Sequence, residues 1–266
     1  MRIRIRFRML YLVARAGSHQ LQSKYMESIV DTKGVEITWC GHATFRLTTL
    51  GHTFYIDPFL KDNPACPAEE KEPKPASFVL VTHGHSDHMA DVLQTARDPK
   101  TKVVGIIELN HWLVAQGLKP EQSVAINIGG TVELAGTRVT MTPAVHSSGI
   151  EDGGAMVYGG DAASFVMEFA EGLTVFHAGD TTVFGDMGLI ADLYHPDIAM
   201  LPIGGWYTMG PREAALAAKL LRVKVVIPMH FGTWPVLVGT PEQLEHHLEG
   251  SGIAVLRLQP GRTVGA

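Results

Sequence analysis

Between Leu80 and Asp91 the chain reads LVTHGHSDHMAD, placing His83, His85, Asp87, His88 and Asp91 within nine positions directly after the apolar run Ser77 to Val81. Neutral imidazole and ionised carboxylate are the groups that zinc and similar divalent ions bind. His83 and His85 are two residues apart, so on extended backbone both point to one side. Asp87 and His88, on the following turn, can face the same cavity from another direction. So many ligands exceed the needs of one ion and suit two ions about 3.5 to 4 Å apart, each with its own subset.

A two-ion site needs further ligands from distant parts of the chain, and the sequence offers them at strand ends. His146 closes VTMTPAVH, Asp180 closes LTVFHAGD and His230 closes VKVVIPMH. Each alone reads equally well as a core or capping residue; their shared position after β-rich runs makes them candidates. His42, in GHATF, is a candidate for substrate contact or proton transfer, or else a buried imidazole bonded to backbone. His177 reads as a supporting or core residue.

The elements that must position these groups follow from pattern. Val35 to Thr49 and His52 to Asp57 read as a hairpin around Leu50-Gly51, and Phe78 to Val81 as a short buried strand. A helix is predicted over His88 to Arg97, capped by Ser86 or Asp87. Strand Lys102 to Ile107, helix Glu108 to Leu118 and strands Ser123 to Ile128, Thr131 to Leu134 and Thr137 to Pro143 come next, before a glycine-rich loop, SSGIEDGGAMVYGG. After a hairpin of Ala163 to Phe169 with Leu173 to His177, helices (Asp186 to Leu193, Arg212 to Leu221, Pro241 to Leu248) alternate with strands (Asp197 to Leu201, Val223 to Pro228, Ile253 to Leu258). Hairpins first and alternation later predict an α/β fold of two mixed sheets packed together with helices outside.

At 266 residues and 45% hydrophobic content, one globular domain is the expectation. No apolar run reaches the roughly 20 residues that span a bilayer. Residues 1–30 are read as a basic extension outside the core and 31–266 as the functional domain. Met1 to Met26 carries six basic residues and no acid, leaving 16 basic against 27 acidic residues elsewhere. An acidic body is a poor partner for nucleic acid, which is gripped by lysine and arginine. Two cysteines, Cys40 and Cys66, argue against a disulfide framework and for a cytoplasmic protein.

Asp57 in IDP, the THGHSDH run, His146, Asp180 in HAGDT and His230 resemble, in order, the five motifs of the metallo-β-lactamase superfamily, over about Val35 to Gly261. GHATF, DPFLKDNP and LPIGGWYTMGP resemble its bacterial and archaeal metal-dependent hydrolases of unassigned substrate, related to ascorbate-6-phosphate lactonase. The resemblance implies a four-layer αββα sandwich. It also implies that His83, His85 and His146 bind one divalent ion and Asp87, His88 and His230 a second, with Asp180 bridging them and Asp57 supporting the ligands by hydrogen bonds. Zinc suits these ligands best, with manganese and iron admissible. A β-lactamase carries cysteine at the place of Asp180, and the di-iron oxygen-reducing branch glutamate at the place of His85, so neither branch fits.

The expected reaction is attack by hydroxide held between the two ions on a small ester, lactone, amide or phosphoester, with Asp87, Asp180 and His42 assisting. The alternatives are a metallonuclease related to the tRNA 3′-processing enzymes and a non-catalytic metal-binding protein. A small-molecule substrate is the expected partner, and homo-oligomers are compatible with the sequence. Loops 147–160, 204–211 and 231–235 should surround the pocket, with Trp206, Tyr207, Met209 and Trp234 as walls and Arg212 as the nearest anion partner.

Overall fold

In a computed structural model of the protein, which describes residues 30–265, two seven-stranded sheets pack face to face. Leading the first sheet are β1 (Glu36–Trp39), β2 (Phe45–Thr49) and β3 (His52–Ile56), followed by β4 (Phe78–Leu80), β5 (Lys102–Ile106) and β6 (Ser123–Ile126). The second comprises β7 (Thr131–Leu134), β8 (Thr137–Pro143), β11 (Ala163–Glu168), β12 (Thr174–His177), β13 (Ile198–Pro202), β14 (Val225–Met229) and β15 (Ala254–Val255). The final strand, β16 (Thr263–Val264), returns to the first sheet and pairs antiparallel with β1. Both sheets are mixed in the same manner. Strands β1, β2 and β3 are antiparallel and β3 to β6 parallel. Likewise β7, β8, β11 and β12 are antiparallel and β12 to β15 parallel.

The sandwich interior follows from strand composition. In β11 and β13 almost every side chain is buried, as expected where a strand is covered on both faces. Phe45, Phe54, Tyr55, Phe165 and Phe176 are the largest wholly buried side chains of one continuous core drawn from both sheets. Helix α3 (Ile107–Ala115) covers the first sheet beside β5 and β6. Helices α4 (Met187–Tyr194), α5 (Pro211–Leu221) and α6 (Pro241–Leu248) lie on the second. The last is held by a reciprocal cap, in which Gln243 N–H donates to Thr240 Oγ1 and Gln243 Oε1 accepts from Thr240 N–H, satisfying two otherwise orphaned donors.

Several sequence expectations need correction. The single helix predicted over His88 to Arg97 is two four-residue pieces, α1 (Ser86–Met89) and α2 (Val92–Thr95), and its N-cap is His85 without a side-chain capping bond. The break falls at Asp91, whose N–H donates to Pro58 O at 2.9 Å and whose carboxylate accepts from Leu60 N–H and Lys61 N–H at 2.6 and 3.1 Å. A tertiary tie to the loop after β3 thus overrides helix continuation. The long arm Val35 to Thr49 is divided by a turn in which Gly41 and His42 both have positive φ, 95° and 56°. The glycine-rich loop contains a hairpin, β9 (Gly149–Asp152) with β10 (Ala155–Tyr158), closed by Gly153-Gly154 at φ 57° and 84°. Two successive positive φ values are what a tight hairpin turn of primed type demands. Finally, Ile253 to Leu258 contributes only β15, because the chain then crosses to the first sheet to form β16. The basic segment over residues 1–25 lies outside the described residues.

Candidate metal centre

Every sequence-selected site residue leaves one edge of the sandwich. Asp57 and His230 directly follow β3 and β14, while His83, His146 and Asp180 each come three residues after the ends of β4, β8 and β12. Asp87 and His88 lie in α1, and His42 lies in the turn between β1 and β2. Ligand sites in α/β sheets form outside the carboxyl ends of parallel strands for this topological reason. Cross-sheet bonds hold the edge closed: His230 N–H donates to His42 O at 3.0 Å and Ala163 N–H to Thr82 O at 3.0 Å. His42, Asp57 and His230 have φ of 56°, 48° and 53°. Left-handed backbone at a non-glycine residue carries strain, and such strain gathers at functional sites. Gly179, next to Asp180, also has positive φ, and a Cβ there would lie 2.8 Å from Thr82 Cβ, so the close approach of the two sheets at the site requires glycine.

The donor atoms form two neighbouring groups, with a third, Asp57, His83 and His88, overlapping both. One is His83, His85 and His146; the other is His42, Asp87, His88 and His230, and within each group the ligand-type atoms lie within 4.8 Å of one another. Asp180 stands between them: Oδ1 is 3.3 Å from His88 Nε2, and Oδ2 is 3.1 Å from His230 Nε2 and 3.6 Å from His146 Nε2.

Hydrogen bonds behind the ligands fix which nitrogen faces the centre. Asp57 is wholly buried, and its Oδ1 accepts from Thr82 N–H at 2.8 Å while Oδ2 accepts from Thr82 Oγ1–H at 2.6 Å. The Thr82 hydroxyl has one proton, so toward His83 Nδ1, 3.0 Å away, it accepts. His83 therefore carries its proton on Nδ1 and turns a bare Nε2 inward, 3.0 Å from His85 Nδ1. Asp57 Oδ2 also lies 2.8 Å from His88 Nδ1, which holds the proton there and frees His88 Nε2.

Several inward atoms have no hydrogen-bond partner among the described residues: His88 Nε2, Asp180 Oδ1 and both ring nitrogens of His230. His230 Nε2 is near Asp180 Oδ2, but without hydrogen-bond alignment. Buried polar atoms left unpaired cost about 1 to 3 kcal/mol each, and a cation held by Asp180 Oδ1, His88 Nε2 and one ring nitrogen of His230 would remove that cost for those three atoms. The residues present therefore fit bound metal.

Electrostatics say the same. Burial, then the neighbouring His88, pushes the His83 pKa well below the usual histidine value, and burial lowers those of His85 and His146. At His88 and His230 burial opposes charge, but Asp180 outweighs it, aided by Asp57 and Asp87 at His88 and by Asp87 at His230. The His88 pKa is held well above its ordinary value, and that of His230 is raised to about 9. The carboxylates are correspondingly acidic despite burial: Asp87 is lowered mainly by His88, and Asp180 by His230 and His88. The raised values at His88 and His230 thus reflect the carboxylates that face them, Asp180 foremost.

His42 has no solvent exposure. Burial lowers its pKa to about 4, so at neutral pH it is an uncharged imidazole. Its Nε2 lies 3.0 Å from the Asp87 carboxylate, which can only accept, and its Nδ1 lies 2.9 Å from Thr233 Oγ1. His42 thus stands behind Asp87, packed against Phe59 and Trp234, and does not itself line the cleft in front of the centre. His177 is also wholly buried, donating from Nε2 to Ala43 O at 3.0 Å and accepting Gly179 N–H at Nδ1.

In front of the centre is a cleft of about 880 Å³ with His85, Asp87, His146 and Asp180 at its base and Phe59, Trp206, Tyr207, Trp234 and Val236 in its walls. Of the residues expected from loops 204–211 and 231–235, Trp206, Tyr207 and Trp234 are there, while loop 147–160 supplies Ser147. Two expectations fail. Met209 is buried, its N–H donating to Thr181 O and its carbonyl accepting Gly205 N–H, so it braces the loop instead of lining the cleft. Arg212 is exposed in the first turn of α5 and does not line it. Sequence reasoning missed Thr82 and Thr233, whose hydroxyls show no distinguishing pattern in one dimension, and missed Phe59 and Asp62 in the loop after β3.

Residues 52–231 match the family model of the beta-lactamase superfamily domain. The chain belongs to the metallo-β-lactamase superfamily. Within that superfamily it is 48% identical over 235 residues to a UPF0173 metal-dependent hydrolase of Koribacter versatilis, covering 88% of this chain and 99% of that one. A UPF0173 metal-dependent hydrolase of Methanopyrus kandleri is 43% identical, covering 86% and 99%. Among solved structures, Igni18, a metallo hydrolase from the hyperthermophilic archaeon Ignicoccus hospitalis, superposes with a TM-score of 0.76 at 36% identity, covering 86% of this chain and 97% of that one. The architecture of two mixed sheets flanked by helices is that of the metallo-β-lactamase fold.

Proposed function

We propose that this protein is a dinuclear hydrolase of small esters, lactones, amides or phosphoesters. The observation that carries the reading is the clustering of seven donor residues behind and at the base of one cleft, with buried donor atoms left unpaired. In this reading His83, His85 and His146 hold one divalent ion, Asp87, His88 and His230 hold the other, and Asp180 is shared. Zinc is the favoured occupant, since imidazole and carboxylate suit it; manganese and iron compete according to supply.

Bound metal supplies a water of lowered pKa and polarises the oxygen of the bond under attack. The chain's own groups do the rest. Asp87, partly open to the cleft and ionised at neutral pH, is placed to accept a hydrogen bond from a donor that enters the cleft and to orient it. His42 donates to Asp87 from behind and keeps the carboxylate turned toward the cleft, an arrangement that supports the ligand without meeting the substrate. Asp57 keeps His83 and His88 in the ligand-competent tautomer. Neither cysteine acts as nucleophile, because burial raises the Cys66 thiol to about 12 and the Cys40 thiol higher still.

The reaction takes place on a small molecule, in keeping with a cleft of this size, and the cytoplasm is the proposed compartment, both cysteines being free. No helix among the described residues is long and apolar enough to cross a membrane. The test is turnover of a panel of esters, lactones, amides and phosphodiesters by protein stripped with chelator and then reloaded with zinc, manganese or iron. Activity that disappears and returns with metal supports the reading; turnover indifferent to chelation, or none with full metal loading, defeats it.

A further inference from the structure

Outside the ligands, the cleft has an unusual charge pattern. Among the described residues its one further carboxylate is Asp62, which is exposed, and no lysine or arginine lines it. Aromatic surface supplies most of the remainder. Phe59 and Trp234 lie with ring centroids 6.4 Å apart, and Trp206 and Tyr207 stand at the mouth, 78% and 57% exposed.

The placement of Trp206 is not explained by folding. It has φ 58°, a left-handed conformation that a bulky side chain rarely adopts, yet it buries little of its indole in return. The loop that holds it is firmly built: Gly205 N–H donates to Met209 O, Tyr207 N–H to Gly205 O, and Met209 N–H ties the loop to Thr181, beside Asp180. Strain retained at a mostly exposed aromatic residue over a reactive centre marks a surface kept for a ligand.

From this lining, and resting on the hydrolase reading above, we infer that the cleft takes substrates whose portion remote from the reacting bond is apolar and carries either a positive charge or none. A remote phosphate or carboxylate finds no cationic partner in these walls and meets Asp62 instead. A quaternary ammonium or flat apolar group finds aromatic faces, whose negative π surfaces attract cations and stack with rings, with Asp62 adding a favourable charge. The bound metals attract the reacting group itself, so selection by the walls concerns the rest of the molecule.

The probes are three acetate esters of matched shape whose alcohol ends in trimethylammonium, tert-butyl or carboxylate, together with the corresponding ethers, which cannot be hydrolysed. Ether binding is read by quenching of tryptophan fluorescence and ester turnover by kcat/KM, on metal-loaded wild type, Trp206→Ala and Asp62→Lys, with metal content measured on each sample. Wild type is expected to bind the cationic and neutral ethers at least tenfold more tightly than the anionic one. Asp62→Lys should reverse the order of cation and anion, and Trp206→Ala should weaken the cation and neutral probes about tenfold, both with unchanged metal content. Preference for the anionic probe, an order unmoved by Asp62→Lys, or undetectable binding of all three ethers overturns the inference. Ethers bound in the expected order without turnover of any ester leave the cleft assignment standing while the hydrolase reading fails. Turnover without discrimination does the reverse.

Discussion

Asp57 Oδ2 lies 2.8 Å from His88 Nδ1, with both side chains wholly buried, and the same oxygen accepts the Thr82 hydroxyl that supports His83. One carboxylate therefore sets the proton position on a ligand of each proposed metal position. Asp57→Asn is informative because asparagine fits the space and tolerates the left-handed φ of 48°. Its amide cannot accept all three hydrogen bonds. Metal affinity should fall about 10- to 100-fold, measured by chelator competition, with the fold intact by circular dichroism. Unchanged affinity would contradict the tautomer account.

Metal binding should release protons. His230 must be neutral to act as a ligand, yet its pKa in the metal-free protein is about 9 and that of His88 is also raised. Calorimetric titration at pH 7 in buffers of different ionisation enthalpy should show release of about one proton or more per chain. Apparent affinity should weaken as pH falls below about 9.

The same raised values make the metal-free protein's stability depend on pH. Folding takes up protons at His230 and His88, so their contribution is present in full below the ordinary histidine pKa of 6.5 and is lost as pH rises through about 9. Melting of chelated protein should drop between those limits, whereas metal-loaded protein, in which neutral histidines are ligands, should not show this drop.

Gly204 offers a structural perturbation without touching a ligand side chain. A Cβ at this position would sit 2.2 Å from the His230 carbonyl oxygen, which is backbone and cannot yield alone. Gly204→Ala should move His230, reduce bound metal below the wild-type level and destabilise the fold by about 2 to 4 kcal/mol, read by metal analysis and denaturant unfolding.

Much of the candidate site was legible because metal chemistry uses few residue types and strand ends announce themselves. THGHSDH follows a buried apolar run, and His146, Asp180 and His230 follow others. The strand and helix order was visible for the same reason of period and punctuation. Less legible were features decided in three dimensions. The split of α1 from α2 depends on Asp91 meeting the loop at Leu60, and the place of His42 behind Asp87 depends on a positive-φ turn. The β16 pairing depends on a two-residue strand too short to carry a pattern. Met209 and Tyr207 sit in the same loop, yet one is a brace and the other a wall, a distinction made by which neighbour each backbone faces.

The central claim is that seven side chains hold two ions through a shared Asp180. Metal content per chain, measured in wild type and Asp180→Ala after equilibration with zinc and removal of loosely bound ions, tests it most directly. The account predicts close to two ions in wild type and a loss of at least one in the variant, with activity lost in parallel. A single tightly held ion, unaffected by the substitution, would contradict it.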